Sequence, residues 1–146
     1  MIVTQKKLFE EILKAIGSRK TIFIVGCGDC ATTCKTGGEV EVMEMKRLLE
    51  EKGMIVTGYC IPDSPCIASQ IKMQFAKNKK QIDEAEAFLI LSCGLGVQSV
   101  LDNDRAKRFV IAGCDTMFGS IVDKTGIAVF ERCAMCGECV LNATGG

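Results

Sequence analysis

Residues 21–28 read Thr-Ile-Phe-Ile-Val-Gly-Cys-Gly, and this stretch decides the fold. From Ile22 to Val25 it is a continuous run of β-branched and aromatic side chains, which is typical of a strand buried on both faces of a parallel sheet. Gly26 ends the run, and Cys27 follows directly. The stretch therefore predicts a central parallel strand that delivers a cysteine to the carboxyl edge of the sheet.

Outward from this strand, apolar strands alternate with amphipathic helices. Helical spacing of apolar residues predicts helices at 8–16, 40–52, 66–85 and 97–101. Further apolar runs predict strands at 54–59, 87–91 and 108–112. This order is typical of the α/β class, so we expect an open parallel sheet of about four to five strands with flanking helices, of the Rossmann or flavodoxin-like kind.

The regular alternation ends near Thr125. Residues 125–130 form either a fifth strand or an extended arm, and a cysteine-rich tail follows. We therefore divide the chain into an α/β domain at residues 1–124 and a cysteine-rich, metal-binding tail at residues 125–146.

The composition excludes several kinds of protein. Ten of the 146 residues are cysteine and none is histidine, which rules out a mixed cysteine–histidine zinc site and removes the usual general base. The net charge is zero, and no basic stretch is dense enough for nucleic acid. The sequence has neither an apolar run of roughly 18 residues for a membrane span nor the apolar core of a secretory signal, so we expect a cytoplasmic protein.

Six cysteines lie in two tight clusters. The first is Cys27-x-x-Cys30-x-x-x-Cys34, and the second is Cys133-x-x-Cys136-x-x-Cys139. Thiolates are soft ligands, and this spacing lets one turn point several sulfurs at one centre. Each cluster therefore predicts a metal or iron–sulfur site.

Two other interpretations of these cysteines are open. Disulfide scaffolds are usually short, secreted and poor in core, whereas this chain has a good core and repeatedly spaces its cysteines too closely for structural cross-links. A thioredoxin-like redox pair at Cys27 and Cys30 would leave Cys34 without a role.

Four cysteines each follow a predicted strand: Cys27, Cys60, Cys93 and Cys114. The carboxyl ends of parallel strands share one edge, so we expect these side chains to converge, although any one alone is equally typical of a small core residue. A four-thiolate site at the first cluster needs one more ligand. The candidates are Cys66 and Cys93, with Cys60 behind them. Cys93 is favoured because its strand is expected to neighbour the first strand.

Three glycines in the same loops are candidate cofactor-binding residues: Gly28, Gly94 and Gly96. Gly26-Cys27-Gly28 keeps only part of the dinucleotide-binding pattern, which favours a loop that wraps closely around a cluster. Gly94 and Gly96 open a predicted helix whose first amides would donate to cluster sulfur, or they serve only the turn.

The tail has the first three ligands of the bacterial ferredoxin pattern but no following Cys-Pro. Cys114, a partner subunit or a small ligand would then supply the fourth. The alternative for the tail is a structural zinc site, which would need four thiolates because the chain has no histidine.

Three segments resemble the MetV family, the cysteine-rich accessory subunits or C-terminal domains of methylenetetrahydrofolate reductase in acetogens and related anaerobes. They are residues 25–39 around the first cysteine cluster, residues 91–98 (Leu-Ser-Cys-Gly-Leu-Gly-Val-Gln) and residues 131–146 around the second cluster. The resemblance covers nearly the whole chain. Family members usually continue into a further segment similar to I-C-P-x-x-x-C, so this sequence resembles a member shortened at its C-terminus.

The resemblance implies an accessory subunit that partners a flavin-containing reductase subunit and carries iron–sulfur clusters or, alternatively, zinc. By position, the first ligand set of the family corresponds to Cys27, Cys30, Cys34, Cys66 and Cys93. The start of the second set corresponds to Cys133, Cys136 and Cys139, and Cys114 is an addition to the usual pattern.

We therefore expect an electron-transfer subunit with two [4Fe-4S] clusters. It would relay electrons between a flavoprotein reductase and a further redox protein in a hetero-oligomer, without binding nucleic acid or membrane. The sequence shows no base or nucleophile constellation, so we expect the chemistry to occur on the partner. The alternatives are a structural zinc scaffold in the same kind of complex and a thiol enzyme.

Overall fold

The computed structural model describes residues 1–123, 125, 129–134 and 136 of the chain. Its strands are β1 (Ile2–Lys6), β2 (Thr21–Val25), β3 (Ile55–Cys60), β4 (Ala87–Ile90), β5 (Phe109–Ala112), β6 (Cys114–Val122) and β7 (Val129–Cys133). Its helices are α1 (Phe9–Ile16), α2 (Cys30–Thr33), α3 (Glu39–Glu51), α4 (Ala68–Lys77), α5 (Lys79–Asp83) and α6 (Gly94–Asn103).

Strands β3, β2, β4 and β5 form, in that order, a four-stranded parallel sheet. Between β2 and β4 the register runs from Ile22 opposite Ala87 to Val25 opposite Ile90. The prediction of an α/β chain with a parallel sheet and flanking helices is confirmed, and the strand that precedes Cys93 does neighbour the first predicted strand. The strand order reverses between β2 and β4, which is where open α/β sheets bind ligands.

Alternating side chains of the central strands fill a separate core on each face of the sheet. Ile22 and Ile24 belong to the core formed with α1 and α3. Phe23 and Phe88 belong to the core formed with α4, α5 and α6, and their rings meet edge to face with centroids 5.9 Å apart. Because both faces of β2 are covered, its sequence is apolar throughout instead of alternating with polar residues.

A second sheet, which the sequence did not predict, is antiparallel in the order β1-β6-β7. β1 pairs with β6 from Ile2 opposite Gly119 to Lys6 opposite Cys114. Thr4 is the buried residue of β1, so this strand has no apolar periodicity, and its partner lies more than 100 residues away in sequence. The antiparallel sheet therefore includes β6 from Cys114 onward, and β1 belongs to it as well.

The helix predictions need two corrections. The single helix predicted at 66–85 is divided into α4 and α5 at Asn78, whose side-chain amide donates to the carbonyl of Gln74 at 2.9 Å. Side-chain hydrogen bonds of this kind compete with helix continuation. The helix predicted at 97–101 is longer and begins at Gly94. No helix in the described ranges is long and apolar enough to cross a lipid bilayer.

The segment at 125–130, predicted as a fifth strand or an arm, overlaps the start of β7. That strand pairs antiparallel with β6 and does not join the parallel sheet. Residues 124 and 126–128 lie outside the described residues, as does the tail beyond residue 136.

The buried thiol of Cys60 makes the stability of the fold decrease at alkaline pH. Cys60 ends β3 with 5% of its surface exposed, and burial raises its pKa from the usual 9.0 to about 12. The thiol therefore ionises at lower pH in the unfolded chain than in the folded one. Its contribution to stability is complete below pH 9 and is lost as the pH rises from 9 toward 12, by about 2 kcal/mol at pH 10.5.

We expect Cys60→Ala to weaken this pH dependence. Urea unfolding of the reduced protein at pH 8 and pH 10.5 should show a drop in unfolding free energy that is smaller in the variant by about 2 kcal/mol. The comparison uses the change with pH, so any stability that the smaller side chain loses at pH 8 cancels. Equal drops in the two proteins would contradict the assignment.

Candidate metal centre

The carboxyl edge of the parallel sheet gathers cysteines from three loops. Cys27 follows β2, Cys66 lies in the loop after β3, and Cys93 is the N-cap residue of α6 after β4. Cys30 begins the short helix α2 within the first loop. Because β2 lies between β3 and β4, the three loops are neighbours.

Backbone hydrogen bonds fix the loop that carries Cys27. The N–H of Gly26 donates to the carbonyl of Cys60 at 2.9 Å, which extends the β2–β3 pairing beyond the end of the strand. The N–H of Cys27 donates to the carbonyl of Gly37 at 2.9 Å, and the Thr32 hydroxyl donates to the carbonyl of Cys27 at 2.7 Å. The loop therefore closes on itself and holds Cys27 at a fixed position.

Cys66 shares its surroundings with three other thiols. Burial raises the pKa of the Cys66 thiol, and the nearby Cys93, Cys27 and Cys30 raise it further by charge repulsion. Each of these three thiols therefore lies near enough to Cys66 to oppose its ionisation. Cys27 and Cys93 are buried, Cys30 is half-buried and Cys66 is exposed, which leaves the group open to the surface on one side.

Strand β1 covers another side of the cysteine loop. The Cys34 thiol donates to the carbonyl of Ile2, with the sulfur 3.8 Å from the oxygen. Burial raises the pKa of the Cys30 thiol, and a hydrogen bond with the Ile2 backbone opposes that shift. Sequence reasoning missed this contact because β1 gave no strand signal.

Cys114 lies beside the first cysteine loop. Its thiol donates to the carbonyl of Thr36 at 3.6 Å, and burial raises its pKa to about 12, with Cys34 among the nearby charges that contribute. The Thr36 hydroxyl is in turn 2.6 Å from the hydroxyl of Thr4 in β1. Cys34 and Cys114 thus form a second group of thiols, next to the group of Cys66.

The tail cysteines are placed only in part. Cys133 and Cys136 are exposed, and Cys139 lies outside the described residues. Cys133 is opposite Gly119 of β6, whereas Cys114 is five residues from Gly119 along that strand. At the usual rise of a strand this separation is about 16 Å. The described residues therefore do not bring Cys114 to Cys133.

The first tail cysteine lies closer to the cysteine loop. Gly119 pairs with Cys133 on one side and with Ile2 on the other. Two strand spacings, about 10 Å, thus separate the backbone of Cys133 from that of Ile2, which touches Cys30 and Cys34.

Gly28 is required by close packing between two loops. Its N–H donates to the carbonyl of Pro62 at 2.9 Å, and a Cβ added at Gly28 would lie 3.2 Å from the Cα of Asp63. The Cys27 thiol also reaches the carbonyl of Asp63, at 3.9 Å. Gly28 therefore brings the loop after β3, which carries Cys66, against the loop after β2.

The loop between β4 and α6 contains a buried hydroxyl that sequence reasoning missed. The Ser92 hydroxyl is 1% exposed and has no hydrogen-bond partner within the described residues. A Cβ on Gly96 would lie 2.4 Å from this oxygen, so the glycine is needed for packing. The N–H of Gly94 donates to the Thr116 hydroxyl at 2.8 Å. This amide, which was predicted to donate to cluster sulfur, therefore already has a protein acceptor. Buried hydroxyls normally have a partner, so the Ser92 hydroxyl is available as a donor to a group bound in this loop.

The described thiols do not form a preformed site for a single metal ion. As placed, no three Cys, Asp or Glu side chains among the described residues are close enough together to hold one metal ion. A tetrahedral zinc site needs sulfurs about 3.8 Å apart. A four-iron cluster bonds each thiolate to a different iron and accepts sulfurs that stand farther apart.

Comparison with known proteins assigns this chain to no family. No family model matches the chain, and neither a curated protein nor a solved structure is significantly similar to it.

Proposed function

We propose that this chain is an iron–sulfur electron-transfer subunit whose first cluster is bound by Cys27, Cys30, Cys66 and Cys93. The observation that carries the proposal is the shared surroundings of these four thiols, which reach the carboxyl edge of the sheet from three different loops. Four thiolates are the usual ligand set of a [4Fe-4S] cluster. The site also lies where the strand order reverses, the usual ligand position in an open α/β sheet.

The protein residues would bind and tune the cluster, which when bound supplies exchange of single electrons. All four ligand thiols must lose their protons, so binding releases protons and is favoured at higher pH. The Ser92 hydroxyl would donate a hydrogen bond to sulfur beside Cys93. Hydrogen bonds of this kind stabilise the more negative, reduced state of a cluster.

A second cluster would be bound in the tail by Cys133, Cys136 and Cys139. Support for electron exchange between the two sites comes from the β1-β6-β7 sheet, which brings the backbone of Cys133 to about 10 Å from the strand that covers Cys30 and Cys34. The fourth ligand of this cluster would come from a partner subunit or a small ligand, since Cys114 is buried against Thr36.

The partner that we propose is a flavin-containing reductase subunit of the methylenetetrahydrofolate reductase type, in a cytoplasmic hetero-oligomer that also meets a further redox protein. The support for this partner is the resemblance to the MetV family in the three cysteine segments. A reducing compartment also fits a chain whose described cysteines are all free thiols.

The second candidate is a structural zinc scaffold in the same kind of complex. It is favoured by the exposed Cys133 and Cys136, whose spacing also suits a zinc site. The two candidates differ in colour, redox activity and metal content.

Protein made and purified without oxygen should be brown, absorb near 400 nm and contain iron and acid-labile sulfide in equal amounts. Dithionite should bleach the absorbance, and a reduced flavoprotein reductase should do the same if it is the electron donor. Colourless protein with stoichiometric zinc and no sulfide would overturn the electron-transfer function and support the scaffold. Iron-loaded protein that the flavoprotein cannot reduce would keep the cluster and refute the partner.

A further inference from the structure

The β5 edge of the parallel sheet opens into a groove. Strand β5 pairs with β4 on one side, and on the other side a groove of about 590 Å³ is lined by β5 and by α1. All four consecutive residues of β5 line this groove. Side chains of a strand alternate between its faces, so a lining of consecutive residues means that the groove exposes the backbone edge itself.

The backbone groups that face the groove can be identified from the pairing with β4. The N–H of Gly113 donates to the carbonyl of Ile90 at 2.8 Å, so Gly113 points its main chain toward β4. Successive residues of a strand point their main chains in opposite directions. Val110 and Ala112 therefore present their N–H and C=O groups to the free edge, which is the arrangement that accepts another strand.

This edge is complementary to itself under a two-fold axis. In an antiparallel pair of β5 strands centred on Ile111, Val110 of each copy would exchange two hydrogen bonds with Ala112 of the other. This register satisfies all of the exposed donors and acceptors of both residues, with four hydrogen bonds in total. It also sets Phe109, whose ring carries the Arg19 guanidinium at 3.6 Å, opposite Gly113 of the other copy.

The side chains of α1 along the groove are also complementary. Glu11 and Lys14 lie one turn apart on the face of α1 that lines the groove, and Ala15 beside them leaves room for a close neighbour. Both helices of a two-fold pair would lie on the same face of the joined sheet and run antiparallel. Glu11 of each copy would then meet Lys14 of the other, and Lys14 makes no ion pair within the described residues.

We propose that two copies of this chain associate through β5, which joins their parallel sheets into one sheet of eight strands. The pairing is isologous, as in most homodimers. It lies at the side of the sheet and leaves the group of thiols around Cys66 uncovered. It does not depend on the metal that those thiols bind.

The test is the mass of the full chain, kept anaerobic and reduced, in sedimentation experiments from about 1 to 200 μM. We expect the mass to rise with concentration toward twice the 15.8 kDa of one chain. Val110→Pro removes a donor that faces the groove and leaves the pairing with β4 intact, because edge strands tolerate proline at such positions. It should raise the dissociation constant at least about tenfold, since each dimer loses two hydrogen bonds.

A charge exchange tests the same interface without altering the strand. Glu11→Lys and Lys14→Glu should each weaken self-association, and an equimolar mixture of the two variants should associate again because each mixed pair restores both contacts. Lys72→Glu, a charge reversal on α4 at the other face of the sheet, is the matched control and should not change association. A single-copy mass over the whole range, or a dimer that neither Val110→Pro nor the charge exchange affects, would overturn the proposal.

Discussion

Gly37→Ala should lower the free energy of unfolding by about 3 kcal/mol or more, among the largest effects of any single substitution in this chain. A Cβ at Gly37 would lie 1.8 Å from the carbonyl oxygen of Leu91 and 2.7 Å from its carbon. Both are backbone atoms next to β4, so no side-chain rotation relieves the clash. The carbonyl of Gly37 also accepts the hydrogen bond from Cys27, so the loop of the candidate metal centre must shift as well.

Urea unfolding of the reduced protein measures this loss directly. Gly94→Ala is the matched control, because its added Cβ would meet only the Thr116 hydroxyl at an ordinary 3.5 Å. We expect the control to change stability by no more than about 0.5 kcal/mol. Similar stabilities for the two variants would show that β4 and the cysteine loop are not packed as closely as described.

Cys66→Ser should abolish the proposed first cluster, whereas Cys34→Ser should leave that cluster in place. The reason is that Cys93, Cys27 and Cys30 are the thiols that act on Cys66, whereas Cys34 lies near Cys114. Serine is a poor ligand for iron, so loss of one thiolate from a four-thiolate set should lower iron and sulfide by one cluster. Anaerobic reconstitution followed by iron and sulfide assays gives the answer.

Cys60→Ser provides the control for this comparison. Cys60 is a buried cysteine of the core beneath α4 and α5, so its replacement disturbs packing without removing one of the four proposed ligands. If Cys34→Ser removes the cluster and Cys66→Ser does not, the ligand set is the one that spacing alone suggests, Cys27-x-x-Cys30-x-x-x-Cys34. In that case our choice of ligands is wrong, although a cluster is still present.

The parallel sheet could be predicted from the sequence because its strands carry their own signal. The run from Ile22 to Val25 is apolar on both faces, and the same holds for Ala87 to Ile90, since helices cover both sides of the sheet. β1 could not be predicted in this way. It buries one polar residue, Thr4, and its stability depends on pairing with a strand that is distant in sequence, which no local pattern reveals.

The candidate site, like the fold, could be predicted from the sequence only in part. Convergence of Cys27 and Cys93 follows from strand order, which the alternation of elements suggested. The place of Cys34 could not be inferred from its spacing, because α2 turns its side chain toward β1, a strand that was not foreseen. Ser92 was missed because a serine in a loop is common, and only its burial without a partner makes it notable.

The pairing of β1 with β6 also determines when β1 can fold during synthesis of the chain. The residues of β1 are made before those of β6, so they cannot form this pairing until residues 114–122 have been made. Throughout synthesis of the parallel sheet, Cys30 and Cys34 therefore lack the cover that the backbone of Ile2 later provides. Until then these two thiols are more accessible to reagents and to oxidation than in the folded chain.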